Sequence, residues 1–237
     1  MAEAILLSPE QIHPALWRAS QLSRTPGRYL ATGYPELSAQ LPGGGWPRGQ
    51  LIDVLVQQPG VGEMRLLQAA LADTDARPIM LIQPPHPPQA SAWAAWGSDP
   101  GRLLWVRAAR GADALWAAEQ AVRSAAFAAV VLWQDVARGA TLRRLQLAAQ
   151  QSDALFVLMR PLAAASQASA APLRVALRPV PAAVSVDILK RRGLLCDRPI
   201  LVPLYPQRRL SEKHHASMDG RAVDAREPGH AVSTLAN

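Results

Sequence analysis

Leu51-Ile52-Asp53-Val54-Leu55-Val56, then Gln57-Gln58-Pro59-Gly60-Val61-Gly62, then Glu63-Met64-Arg65-Leu66-Leu67-Gln68-Ala69-Ala70-Leu71-Ala72, is the stretch on which the fold turns. The first run is apolar except for Asp53 and short, as a strand buried on both faces requires. Pro59, Gly60 and Gly62 end it in a tight turn. Glu63–Ala72 then carries apolar residues at helical spacing. A strand, a glycine loop and a helix form the unit in which backbone amides cradle phosphates, a Lys reaches the terminal oxygens and a Ser or Thr holds magnesium. That chemistry needs G-x-x-x-x-G-K-[ST]. The eight positions here read Gln57, Gln58, Pro59, Gly60, Val61, Gly62, Glu63 and Met64, so only the second glycine is kept. Glu63 stands where the Lys belongs and would repel a triphosphate by on the order of a few kcal/mol. Met64 offers no oxygen to a metal. Taken alone, the loop reads equally well as a plain turn between strand and helix.

Outward from this unit the pattern repeats. Pro78–Ile82, Leu103–Val106, Ala128–Trp133 and Ala154–Met159 read as strands; Ser91–Trp96, Gly111–Ala125 and Thr141–Gln151 read as helices. Strands alternating with helices predict an α/β protein whose mostly parallel sheet is covered on both faces. Leu173–Arg178 and Val184–Leu189 alternate with period two and predict an antiparallel hairpin at a sheet edge. Before the central unit, Ser8-Pro9-Glu10-Gln11 starts a helix over 8–24. Leu41-Pro42-Gly43-Gly44-Gly45-Trp46-Pro47-Arg48-Gly49 reads as irregular. Leu162–Ala171, rich in Ala, Ser and Gln, reads as a mobile loop. The expected organisation is an N-terminal helical segment over 1–30, one α/β domain over 31–205 and a disordered tail over 206–237.

The 237 residues, 49% apolar and 18% charged, suit one sizeable globular domain. Lys and Arg exceed Asp and Glu by 25 to 18, a +7 balance that favours a polyanionic partner without requiring one. The start of the chain lacks a basic and apolar leader, and no apolar run reaches the ~20 residues of a membrane span, so a cytoplasmic protein with no membrane partner is expected. The single cysteine, Cys196, cannot form an internal disulfide, and no Cys/His spacing predicts a metal. His86 has no partner pattern for catalysis, and the scattered carboxylates form no triad or dyad.

Ala31-Thr32-Gly33-Tyr34-Pro35-Glu36-Leu37 followed by Leu41–Gln50 resembles the RecA/RadA lead-in "T-G-x-x-x-L-D…L-G-G-G-x-P-x-G" that runs into the phosphate loop. The resemblance spans 31–205 and is most specific over 31–62. It allows the family's other functional positions to be matched. Pro85 stands where the catalytic Glu would follow the second strand. Trp133 falls at the Asp that closes a later strand, with Asp135 close by. Arg160 matches the γ-phosphate-sensing Gln. The resemblance therefore implies a RecA-like fold without a catalytic residue, metal or cofactor. Within it, the chain is most similar to the ImuA family on three features: the degenerate loop, Gly43–Gly49, and the closing hairpin that ends Leu189-Lys190-Arg191-Arg192-Gly193. That likeness implies a non-catalytic accessory factor in damage-induced mutagenic translesion DNA synthesis. Its implied partners are a polymerase-like protein, RecA and, directly or indirectly, DNA.

Lys190, Arg191 and Arg192 are the candidate contacts to DNA or to a partner, against the plain alternative of a solvated strand end. Trp46 is the candidate exposed anchor, whereas Trp93, Trp96 and Trp116 are expected to pack in the core. Pro161–Pro172, at the place of a DNA-contacting loop, has no basic or aromatic residue and predicts little direct DNA contact. Two other functions stay open. One is a weak nucleotide-binding ATPase that uses backbone amides and Asp135. The other is a SulA-type cell-division inhibitor, against which the Gly43–Gly49 stretch argues.

Overall fold

The computed structural model describes residues 29–193 and 198–204; the helix expected over 8–24 and the tail expected from 206 lie outside them. In chain order the elements begin with β1 (Tyr29–Ala31), α1 (Pro35–Gln40) and β2 (Gly45–Pro47). The first sheet strand and its crossover helix follow as β3 (Gln50–Val56) and α2 (Glu63–Ala72). Next come β4 (Ile79–Ile82), α3 (Ala90–Ala95), β5 (Leu103–Val106), α4 (Gly111–Arg123), β6 (Ala129–Trp133), α5 (Gly139–Ala149) and β7 (Leu155–Pro161). The hairpin β8 (Leu173–Val180) and β9 (Ala183–Lys190) and a last strand β10 (Ile200–Val202) complete the described chain. The strands predicted from the sequence all form, with ends moved by a residue or two.

The result is an α/β protein with an eight-stranded sheet in the order β10-β9-β8-β3-β7-β6-β4-β5, beside a two-stranded antiparallel ribbon of β1 and β2. From β8 to β5 every pair is parallel, while β9 and β10 run antiparallel. The hairpin is therefore not the sheet edge, because β10 covers it. No periodicity marked a strand of this length in the sequence. Ile52, Val54 and Val56 of β3 pack with Leu66, Leu67, Ala70 and Leu71 of α2 on one face. Leu51 faces the other way, toward Ala118 and Val122 of α4 and Leu145 and Ala148 of α5. A strand buried on both faces explains its near-continuous apolar run.

The glycine-rich lead-in is more ordered than its composition suggests. Pro42–Gly44 forms a short 3-10 turn and Gly45–Pro47 pairs with Tyr29–Ala31, so the irregular reading of this stretch is corrected. Thr32, fully buried, accepts from the Tyr34 amide at 2.9 Å and meets the Ser38 hydroxyl at 2.7 Å, which pins the start of α1. Gly49 has φ +66, and a Cβ there would lie 2.6 Å from the Ser152 carbonyl oxygen, so only glycine fits. Arg48 beside it donates to Asp153 at 2.8 Å and Asp75 at 3.2 Å, joining the segments before β3, β4 and β7.

Arg77 completes this network. Its guanidinium is hydrogen-bonded side-on to Asp75 and holds that carboxyl far below the usual carboxylate range; it lowers Asp153 as well. Depressed folded-state values mean that the stabilisation is present above the unfolded carboxylate value and fades as pH falls toward the lower folded one. Both aspartates are about half exposed, at 42% and 58%, so solvent screening keeps the worth of each pair below about 1 kcal/mol. Asp75→Asn is expected to unfold at lower urea than wild type at neutral pH, the gap narrowing as pH falls below about 4. Urea midpoints measured across that range check this; a gap that widens on acidification contradicts it.

The segment read as mobile, Leu162–Ala171, begins with a 3-10 helix over Leu162–Ser166 and buries Ala164 and Ala171. It is held from below by charge. Asp53 (β3), Arg160 (β7) and Arg174 (β8) sit side by side on one sheet face, with side-chain exposures of 0%, 0% and 9%. Arg160 grips both Asp53 oxygens, at 2.9 and 2.6 Å, and Arg174 donates to the second at 2.9 Å. Their remaining N–H groups reach the carbonyls of Ala164 and Ala165 and the Gln167 side chain. A polar trio fastens the loop that the sequence had left free.

Candidate functional site

β3 ends at the centre of the sheet and hands over to α2 through Gln57–Gly62. Gly62 caps α2 with φ +111, in the left-handed region, and a Cβ on it would lie 2.0 Å from Leu204 Cδ1. The loop thus has the geometry of a phosphate cradle, with glycine amides at a helix N-terminus. Its anion, however, is built in. Glu63, 4% exposed at the first position of α2, accepts from the Gly60 amide at 2.9 Å and from the Gly62 amide at 3.1 Å. A carboxylate at a helix N-terminus is stabilised by the helix dipole and satisfies amides that would otherwise be orphaned. The sequence predicted repulsion of a phosphate by Glu63. The structure adds occupancy of two of the amides by that same side chain.

Beside the loop lies a cleft of about 310 Å³. Its walls include Met64 on α2, Pro84 and Pro85 after β4, Trp93 and Trp96 on α3, and Trp133 at the end of β6. The place follows from the topology. The chain leaves β6 toward β7 on one side, and leaves β4 toward β5 on the other, so the connections part between these neighbouring strands. Ligand crevices of open α/β sheets form at such points, beyond the carboxyl ends of the strands. Gln83 turns the chain there with φ +55, held by its amide to the Val106 carbonyl at 2.9 Å and its side chain to the Ala108 carbonyl at 2.6 Å. Such a strained non-glycine residue persists only where its surroundings hold it. Pro84–Pro88, which follows it, lines the cleft.

The positions matched by resemblance are now placed. Pro85 and Trp133 do line the cleft, as ring surfaces rather than as carboxylates. Asp135 is exposed beyond the end of β6. Arg160 lies inside β7 and spends its guanidinium on Asp53 beneath the 3-10 helix, away from the loop. Among the described residues, no group of three or more His, Cys, Asp or Glu is arranged to hold a metal ion.

The candidate contact residues fare differently. Trp46 is fully buried, at 0% exposure, in the cluster of Leu37, Leu41 and Leu71, which corrects the reading of it as an exposed anchor. Pairing of β2 with β1 turns its indole inward, and a glycine-rich composition could not signal that. Trp93 is buried and Trp96 half-buried, their rings 5.6 Å apart and tilted. Trp116, expected in the core, is 61% exposed on the outer face of α4. Lys190, Arg191 and Arg192 turn to different neighbours. Lys190 donates to the Ser169 carbonyl at 2.9 Å, Arg191 to the Gln40 carbonyl, and exposed Arg192 lies by Tyr29, Pro42 and Leu173. A bulge between Arg174 and Val175 shifts the register opposite Leu189, the residue before the triplet.

No family model matches the chain, and no curated protein matches it. Among solved structures it is similar to the crystal structure of SulA from Pseudomonas aeruginosa, with 27% identity and a TM-score of 0.39 over 46% of this chain and 97% of that one. More than half of this chain lies outside the overlap. Among the described residues, no helix is long and apolar enough to cross a membrane.

Proposed function

We propose that this chain is a non-catalytic RecA-like accessory factor of damage-induced translesion DNA synthesis, working by binding a polymerase-like protein together with RecA or, directly or indirectly, DNA. One observation carries the non-catalytic part: the Glu63 carboxylate occupies the Gly60 and Gly62 amides of the loop that would otherwise receive phosphate. Met64 and Pro85, in place of a metal ligand and a general base, agree with it. The translesion setting rests on the likeness of the degenerate loop, Gly43–Gly49 and the closing hairpin to the ImuA family. The buried Thr32, Leu37 and Trp46 and the Arg48 network explain why such a lead-in persists without nucleotide chemistry: it is framework.

Calorimetry with ATP and magnesium is expected to show no saturable heat for the full chain. Co-purification with the polymerase-like protein is expected to give a stable complex whose formation is indifferent to nucleotide. Micromolar ATP binding would overturn the non-catalytic reading, and failure of the full chain to associate would overturn the partner.

A further inference from the structure

α4 and α5 pack side by side on one face of the sheet, burying Ala118 and Val122 from the first and Leu142 and Leu145 from the second. What they turn outward has a single sign of charge. The residues they expose include Trp116, Gln120 and Arg123 on α4 and Arg143, Arg144 and Leu147 on α5, and no exposed residue of either helix is acidic. We propose that this face binds single-stranded DNA directly, its phosphates on Arg123, Arg143 and Arg144 and a base against Trp116. The inference rests on the proposed function, in which DNA is met directly or indirectly, and makes that contact direct.

The arginines are arranged rather than scattered. Glu119, 5% exposed, lies one helical turn before Arg123 and draws it to 3.0 Å; from α5 it draws Arg144 to 2.7 Å. Those two side chains stay 45% and 55% exposed. One buried carboxylate thus holds two guanidinium groups together at the surface, with the rest of each fork facing water. Groups already held in place lower the ordering cost of binding, and the planar guanidinium fork matches a phosphate. Arg143, beside Arg144, is exposed and has no ion pair among the described residues. Three guanidinium groups against one carboxylate leave the face positive, which suits a polyanion. Two further acids stand at its edge. Asp113, near the start of α4, is paired with Arg110 at 2.9 Å, and Asp135, in the segment before α5, is followed there by Arg138.

The aromatic selects a nucleic-acid strand over an acidic protein surface. Trp116 is 61% exposed and lies one helical turn before Glu119 and Gln120, hence beside the arginines that Glu119 holds. Sites for single strands combine a positive track with exposed rings, because every base offers a face to stack on. In a duplex the bases are already stacked on one another. α2 packs on the opposite face of the sheet, so the contact makes no use of the loop held by Glu63.

The test uses the full chain and fluorescence anisotropy of a labelled oligodeoxythymidylate, with its duplex as the contrast. Wild type is expected to bind the single strand with an affinity that falls as salt rises, and to bind the duplex at least about tenfold more weakly. Arg143→Ala is expected to weaken binding and to flatten the log–log salt dependence by about 0.7, one phosphate contact on a single strand. Trp116→Ala is expected to weaken binding by about tenfold and to leave that slope unchanged. Both side chains are exposed, so far-ultraviolet circular dichroism is expected to stay as in wild type. No binding of the strand at low salt, or binding that neither substitution weakens, overturns the inference. Equal affinity for the duplex, with Trp116→Ala unchanged, overturns the stacking. A loss on Arg192→Ala in place of Arg143→Ala moves the contact to the closing hairpin and overturns this face. If the polymerase-like protein and not the strand binds these variants more weakly, the face belongs to a protein partner and the inference falls. The proposed function is read separately, by association of the unsubstituted chain with the polymerase-like protein. Strand binding without that association leaves this face standing and overturns the partner; association without strand binding does the reverse.

Discussion

Asp53→Ala is expected to lower stability by about 3–5 kcal/mol. The reason is arithmetic of charge in a place without water. Asp53 carries one negative charge between Arg160 and Arg174, and all three side chains are shielded from solvent. Removing the carboxylate leaves two guanidinium groups buried with only carbonyl and amide oxygens for partners. A domain of this size has only about 5–15 kcal/mol to lose. The melting temperature is therefore expected to fall by roughly 6–20 °C. Replacing the whole trio by apolar residues, as in D53L/R160M/R174L, is expected to be near neutral, because buried ion pairs roughly balance their own desolvation. Urea denaturation of both variants checks the pair of expectations. A loss below about 1 kcal/mol for Asp53→Ala would show that water reaches the trio. The alanine variant should also loosen Leu162–Ala171, since Arg174 reaches that segment's carbonyls; faster amide exchange there reads this directly.

Trp46→Ala is expected to cost about 3–5 kcal/mol as well, by another mechanism. The indole is fully buried and belongs to the core cluster that includes Leu37, Leu41 and Leu71. Truncation removes that surface from the core and leaves a cavity whose backbone walls, paired as strands, cannot collapse into it. The indole N–H is itself buried without a hydrogen-bond partner. Trp46→Phe discards that unsatisfied donor and keeps most of the ring, so it is expected to cost far less than alanine. Thermal melts of the two variants separate this from the surface reading. An exposed anchor would leave both at the wild-type melting temperature and weaken partner binding instead.

Much of the framework was legible in advance, and for identifiable reasons. β3, β4, β6 and β7 are buried on both faces, so they announce themselves as unbroken apolar runs between turn signals. α2 and α4 repeat apolar residues at helical spacing because one face of each meets the sheet. β9 alternates because its inner face is packed and its outer face is wetter, whereas β8 is buried on both faces through Leu177 and owes its polar alternate, Arg174, to the pairing with Asp53. What misled was composition. Gly43–Gly49 reads as loop by residue type, yet it turns inward and forms a strand whose tryptophan is core. Leu162–Ala171 reads as mobile by residue type, yet charges that enter from three separate strands hold it. The arginines of that trio were visible, but nothing in a linear spacing of more than a hundred residues pairs Asp53 with Arg160.

By itself the sequence determined the class of fold and the failure of the phosphate motif, because both are written in local order: apolar runs separated by turns, and a Glu and a Met where a Lys and a Ser would stand. Only the tertiary structure decided where the side chains of these stretches go. It brought the Glu63 carboxylate onto the Gly60 and Gly62 amides, turned Trp46 inward and Trp116 outward, and gathered prolines and tryptophans from β4, α3 and β6 around one cleft. Those outcomes depend on which strands become neighbours and on which face of each is covered. They are settled by burial and pairing between residues far apart in the chain, quantities that no short window of sequence contains.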